Sequence, residues 1–242
     1  PGCGIEDFEL AQVENLPAIS PVDESGRFTD DYDFLSGKLA SEVPEDVFAH
    51  LKEQGKLFHT HEYEHSYPVC WRCKTEVIFR LVEEWHIKTD EIRPKLLEQS
   101  RTVQWEPAFI GKRMEDWLNN MGDWTISRKR YYGLPLPFYP CECGHLTVVS
   151  SKEELKELGG GDAVDQLPEL HRPWIDDIQI DCPECGKKVS RVEETGDVWL
   201  DAGIVPFSTM PYFTDREEWE EHYFPVEWIT EMREQVRLWF YS

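Results

Sequence analysis

Cys141-Glu-Cys143-Gly-His145 and Cys182-Pro-Glu-Cys185-Gly186 constrain this chain most, because two close thiol pairs far apart in sequence ask for one common centre. A tight turn projects the two thiolates of a pair to one side, and two such turns complete a tetrahedron suited to Zn2+. Leu146-Thr-Val-Val149 follows the first pair as a β-rich run, and the pattern predicts a zinc ribbon. Its ligands are Cys141, Cys143, Cys182 and Cys185, with His145 as a reserve donor. Four protein ligands leave no open position, so the metal is expected to be structural. A filled site of this kind contributes on the order of 10 kcal/mol to folding.

Cys70-Trp-Arg-Cys73 has the same type of spacing but finds no second pair in the chain, so it reads as half a site. His59, His61 and His65 are spaced to complete it, although alternating histidines before an apolar run also suit an exposed linker.

The net charge is −23, and it is unevenly spread: −11 over residues 1–66, +2 over 67–133 and −14 over 134–242. Nonspecific nucleic-acid affinity rests on Lys and Arg neutralising phosphates, so only the middle favours a polyanion. No apolar run approaches the ~20 residues of a membrane helix, and no basic-then-apolar leader opens the chain. A cytoplasmic setting, where thiols stay reduced, is therefore expected, and it favours metal over disulfide. The chain opens on Pro1 without a methionine and closes on Trp-Phe-Tyr-Ser242, as an internal piece of a longer protein would.

An alternating α/β pattern runs between these motifs. Pro44–Gly55 predicts a helix resting on a core through Val47, Phe48 and Leu51. Gly111–Met121 predicts another, with Met114, Trp117, Leu118 and Met121 on one face. Ser151-x-x-Glu154 and Thr214-x-x-Glu217 read as capping boxes. Strands are expected at Val77–Val82, Leu146–Val149 and Val198–Leu200, and a flexible loop at Gly159–Gly161. Thr230 is expected to start a helix that lines Glu231, Gln235 and Trp239 along one stripe.

Trp124-Thr-Ile-Ser-Arg-Lys-Arg-Tyr-Tyr-Gly-Leu-Pro-Leu-Pro137, the cysteine pairs and Asp197-Val-Trp-Leu-Asp-Ala-Gly203 occur in an order that resembles the middle of class I isoleucyl-tRNA synthetases. Tyr67–Lys74 resembles their Y-P-x-C-W-R-C-K segment, whose cysteines join a pair upstream of the editing domain. Pro1–Phe8 and Pro21–Phe28 resemble two editing-domain segments, with Cys3 where histidine is usual. Glu231–Phe240 resembles E-G-x-D-Q-x-R-G-W-F, with Met232 and Leu238 in place of glycines, an exchange expected to narrow or displace the adenylate pocket.

The resemblance implies an α/β fold: part of a Rossmann-like catalytic core carrying an inserted zinc ribbon, with part of a β-rich editing domain. It places the end of the editing domain at 1–66, the connection with the Cys70/Cys73 half site at 67–133, the ribbon at 134–196 and the core at 197–242. It implies that Asp7 anchors the α-amino group of misattached valine. Glu231, Glu234 and Gln235 are implied to bind isoleucyl-adenylate, with Trp199 and Trp239 walling the side chain.

Isoleucyl enzymes are the standard illustration of why editing is needed, since one missing methylene is worth only about 1–3 kcal/mol of discrimination. The implied partners are tRNA(Ile), isoleucine and ATP with Mg2+, for a monomer without a membrane. H-I-G-H and K-M-S-K-S are not in these residues, so the chain alone is expected to be inactive. Ser127–Arg130 suits either a phosphate contact or a solvated turn. A valyl enzyme, or a noncatalytic zinc-ribbon module that binds RNA or protein, remains the alternative.

Overall fold

The computed structural model describes residues 4–242, and the chain divides into two units, Pro1–Glu83 and Glu84–Ser242. Pro1 and Cys3, and with them the start of the first editing-type motif, lie outside the described residues.

In the first unit, α1 (Ile5–Val13) carries Glu6 and Asp7 in its first turn, where unpaired backbone N–H groups favour negative charge. It buries only Ala11. Asp23 closes the next turn by accepting from the N–H groups of Ser25 and Arg27 at 2.8 and 3.0 Å, and Gly26 supplies the positive φ of 78° that the turn needs. α2 (Pro44–Glu53) begins at its proline as the sequence predicts. It does not rest on a deep core, because Val47 and Leu51 are half-buried and Phe48 is exposed. Val77–Val82 is not a strand: the pairing nearby is an isolated bridge between Val69 and Glu76, ending where the Val77 N–H donates to the Pro68 carbonyl at 3.1 Å, and among the described residues no strand pairs with the segment beyond it.

The second unit opens with β1 (His86–Ile87), α3 (Arg93–Thr102), α4 (Phe109–Asn120), β2 (Trp124–Thr125) and β3 (Ser127–Arg128). Ile110, Met114, Leu118 and Met121 turn inward from α4 and its end, and Val236 packs on them from the far end of the chain. Gly111 lets Trp105 lie flat on α4, since a Cβ there would meet the indole at 2.7 Å. The last carbonyls of a helix have no partner within it. Arg93 supplies one, donating to the Leu118 carbonyl and, at 2.9 Å, to that of Met121.

Then follow β4 (Phe138–Pro140), β5 (Leu146–Val148), α5 (Lys152–Leu155), β6 (Gln179–Asp181), β7 (Lys188–Ser190) and β8 (Thr195–Gly196). The pairs β1–β2, β3–β8, β4–β5 and β6–β7 are all antiparallel. Two of them, β4–β5 and β6–β7, form hairpins around Tyr139, Leu155, Val164, Ile178, Ile180 and Val189, with Ile180 and Val164 fully buried.

Ser151 caps α5 by accepting from the Glu154 N–H at 3.1 Å, while the Glu154 carboxylate takes the N–H of Ser150 rather than that of Ser151. Gly159–Gly161 is not a loose loop. It is a tightly wound turn in which a Cβ on Gly160 would sit 2.6 Å from Val164 Cγ2 and 2.8 Å from the Leu155 carbonyl oxygen. Close packing requires glycine at 160, while Gly159 and Gly161 supply positive φ values of 127° and 52°.

The remaining helices are α6 (Val198–Gly203), α7 (Val205–Ser208) and α8 (Arg216–His222). Val198–Leu200 is therefore helical, not a strand, because the Asp197 carboxylate caps the segment by accepting from the Trp199 N–H at 2.8 Å. α8 is capped by Asp215, one residue after the expected Thr214, through the Glu218 N–H at 3.1 Å. No helix from Thr230 forms. Two short 3-10 turns, Arg233–Arg237 and Trp239–Tyr241, take its place, and their threefold winding does not stack residues four apart.

Candidate functional site

Two sites emerge in the second unit. At the tips of the two hairpins, Cys141, Cys143, Cys182 and Cys185 bring their sulfurs within 4.8 Å of one another. Cys141 approaches Cys185 at 3.5 Å and Cys143 approaches Cys182 at 3.7 Å. Four sulfurs about 2.3 Å from one Zn2+ would lie about 3.8 Å apart, so the donor set fits a tetrahedral ion. His145 is not part of the group.

Backbone geometry builds the turns. The Cys182 N–H donates to the Lys187 carbonyl at 2.9 Å and the Gly186 N–H to the Cys182 carbonyl at 2.8 Å. Burial opposes the Cys182 thiolate, but backbone N–H groups of Cys185 and Glu184 outweigh it and bring the pKa down to about 6.

Below the cysteines, Arg191 is almost wholly buried and donates to the carbonyls of Leu136 and Glu194 at 3.1 and 3.0 Å and to the Asp176 carboxylate. Burial disfavours the charged Asp176, yet Arg191 and Arg172 together hold its pKa below the ordinary carboxylate value.

Cys70 in the first unit makes a turn of the same pattern, its N–H donating to the Thr75 carbonyl and the Lys74 N–H to the Cys70 carbonyl, both at 2.8 Å. Lys74 adopts φ 63° where Gly186 adopts 72°. The Thr75 hydroxyl and amide bring the Cys73 thiol down to about 7. His59, His61 and His65 do not join the two cysteines in any ligand group among the described residues. They alternate with Tyr63 along an extended segment instead, with His59 and His61 stacked at 5.5 Å.

The second site is a cavity of about 310 Å³ bounded by Trp117, Trp124, Trp199, Leu238 and Tyr241 and, at its polar side, Asp123, Arg128 and Asp197. Tyr241 packs against Trp117 at 5.8 Å and Trp124 at 6.0 Å between ring centres, so three aromatic rings form a continuous wall. Burial pushes the Tyr241 phenol up, with Asp197 acting the same way and Arg128 against it. Arg128 pairs with the buried Asp197 carboxylate.

The residues expected to bind substrate are dispersed. Trp199 lines the cavity; Trp239 does not, and its indole N–H donates to the Ala202 carbonyl on α6 at 2.8 Å. Gln235 accepts the Trp239 backbone N–H at 3.2 Å. Glu231 and Glu234 are exposed, the latter paired with Arg233 at 3.3 Å. Asp7 is exposed in the first turn of α1. Trp117 signalled only a helix face in the sequence, and Asp123 and Tyr241 carried no signal, because the three meet only when α4, β2 and the chain end pack together. Leu238, one of the two glycine replacements, is itself on the cavity wall.

Comparison with known proteins places these observations. The family profile of tRNA synthetases class I (I, L, M and V) matches residues 7–242. The isoleucine–tRNA ligases of Methanothermobacter thermautotrophicus, Methanopyrus kandleri and Clostridium acetobutylicum are 41%, 39% and 38% identical over the whole chain, which covers 23%, 24% and 23% of their lengths. The chain thus spans about a quarter of these relatives. A solved LeuRS–tRNA–LeuAMS complex of Agrobacterium radiobacter K84 is 26% identical over 39% of this chain and 12% of its own, with a TM-score of 0.23. On the family match across residues 7–242, this chain belongs to the class I tRNA synthetases of the isoleucine, leucine, methionine and valine group.

Proposed function

We propose that the protein containing this chain is an isoleucine–tRNA ligase, which activates isoleucine with ATP, transfers it to tRNA(Ile) and hydrolyses misattached valine. The observation that carries the reading is the cavity: its volume suits a small ligand, its wall is aromatic, and its charged groups gather on one side. Similarity to isoleucine–tRNA ligases along the whole chain narrows the ligand to an aliphatic amino acid.

Trp199, Trp124 and Tyr241 would exclude water from the side chain, while Asp123 stands where an ammonium group can be recognised. ATP and Mg2+ chemistry would be supplied by H-I-G-H and K-M-S-K-S segments, neither of which occurs in these residues. Asp7 is proposed to anchor the amino group of misattached valine in the editing reaction.

The four hairpin cysteines are proposed to hold a structural Zn2+, making 134–196 a zinc ribbon. When bound, the ion would supply a cross-link between the two hairpins at the end of their shared core. The Cys70–Cys73 turn is proposed as half of a second site.

The test is calorimetric titration of the full-length protein with a nonhydrolysable isoleucyl-adenylate analogue. Binding that weakens at least tenfold on Trp199→Ala supports the assignment, on the scale of losing an aromatic contact. Absence of binding, or binding indifferent to Trp199→Ala, removes it.

A further inference from the structure

Asp197 divides its carboxylate between two tasks. One oxygen accepts the Trp199 N–H at 2.8 Å and so begins α6; the other pairs with Arg128. Its backbone N–H is also tied, donating to the Ile126 carbonyl at 2.7 Å. The carboxylate is 5% exposed, so its negative charge depends on that partner.

Arg128 is equally committed. Its second terminal nitrogen donates to the carbonyls of Thr125 and Ser127 at 2.9 and 2.7 Å. A planar fork with several fixed donors can make these contacts at once, which a lysine ammonium on its flexible stem cannot. The base of the fork is rigid too: Ser127, beside Arg128 on β3, is buried, accepts the Trp85 N–H at 2.8 Å and donates to Glu84.

Although 40% exposed, the arginine is braced through both terminal nitrogens. It is a strut running from β3 through Asp197 to the first turn of α6, and Trp199 stands on that turn with its side chain on the cavity wall.

We propose that Arg128 is a positioning residue for amino-acid selection: through Asp197 it sets the angle at which the Trp199 indole meets the ligand. This deepens the reading of the cavity as an amino-acid pocket and rests on it. Loss of the strut frees the turn, widens the slot and relaxes selection of the branched side chain, while the nucleotide is bound as before.

The experiment has two arms. In the first, the full-length protein and its Arg128→Met, Arg128→Lys, Trp199→Phe and Arg128→Met/Trp199→Phe variants are compared by isoleucine-dependent ATP–pyrophosphate exchange. Arg128→Met should raise the isoleucine KM about tenfold, Arg128→Lys should recover little of it, and the double variant should be no worse than Trp199→Phe, as expected of groups in one network. The ATP KM should stay unchanged. A change in the ATP KM alone, or two effects that simply multiply, overturns the proposal.

The second arm needs no substrate. With 5-fluorotryptophan in place of tryptophan, the 19F resonance of residue 199 should shift in Arg128→Met while that of residue 105, which rests on α4 and donates to the Ser100 carbonyl, stays. An unmoved 199 resonance overturns the strut whatever the ligand. If the unaltered protein shows no isoleucine-dependent exchange but the resonance moves, the amino-acid reading fails and the strut stands. Asp197→Asn, which keeps the capping oxygen and loses the charge, provides the same readings should Arg128→Met not fold.

Discussion

Substituting Cys182 by serine should cost the hairpin module its fold, and the structure indicates how much is at stake. Cys182 is the buried member of the thiol group, and its sulfur approaches Cys143 at 3.7 Å. A structural Zn2+ contributes on the order of 10 kcal/mol, comparable to the whole 5–15 kcal/mol that separates a typical domain from its unfolded state. The core beneath it gathers nine buried residues, Ile180, Val164 and Tyr139 the most enclosed, and its margin over unfolding is of the same order as the metal's contribution. Apolar burial alone does not replace a loss of that size.

The assay is metal analysis of the purified 242-residue chain, followed by limited proteolysis. The unaltered chain should carry one zinc ion and resist cleavage between residues 141 and 190. Cys182→Ser should lose the metal and be cut rapidly there, whereas His145→Ala and Cys70→Ser/Cys73→Ser should keep both properties. Zinc retained at full stoichiometry in Cys182→Ser, or lost in His145→Ala, would refute the four-thiolate centre.

Asp176→Asn should destabilise the module by roughly 3 kcal/mol in chemical denaturation, because it leaves the buried Arg191 charge without its carboxylate. The same pair predicts acid sensitivity. Asp176 has a folded pKa below that of an ordinary aspartate, so its contribution is present above the ordinary value and disappears as pH falls through the folded pKa; a melting temperature that does not fall more steeply below pH 4 than that of Asp176→Asn would contradict this. Gly160→Ala should cost roughly 1–3 kcal/mol, since the new methyl meets Val164 and a fixed carbonyl, and an unchanged denaturation midpoint would show that the turn is loose after all.

What the sequence made legible were elements whose signal is local. Pro44 and the α4 stripe of Met114, Leu118 and Met121 declare themselves within a few residues, and the cysteine pairs declare a shared centre by spacing alone. Val198–Leu200 was misread because its β-like residues say less than the single carboxylate before them, which pulls the segment into a helix. The stripe Glu231–Gln235–Trp239 failed for a related reason. Val236 is drawn into the α4 core and Trp239 onto the Ala202 carbonyl, and this packing winds the chain into 3-10 turns. The cavity's polar edge was out of reach altogether: Arg128 and Asp197 lie 69 residues apart, and only the β3–β8 pairing brings them together.

The central claim is that the aromatic cavity selects an aliphatic amino acid for attachment to tRNA. It is tested most directly by amino-acid-dependent ATP–pyrophosphate exchange in the full-length protein, run across the aliphatic amino acids with and without Trp199→Ala. Isoleucine should support the fastest exchange, with valine weaker by the 10–200-fold that one methylene allows and Trp199→Ala raising the isoleucine KM. Exchange that prefers another amino acid, or that leaves the isoleucine KM untouched in Trp199→Ala, would contradict it.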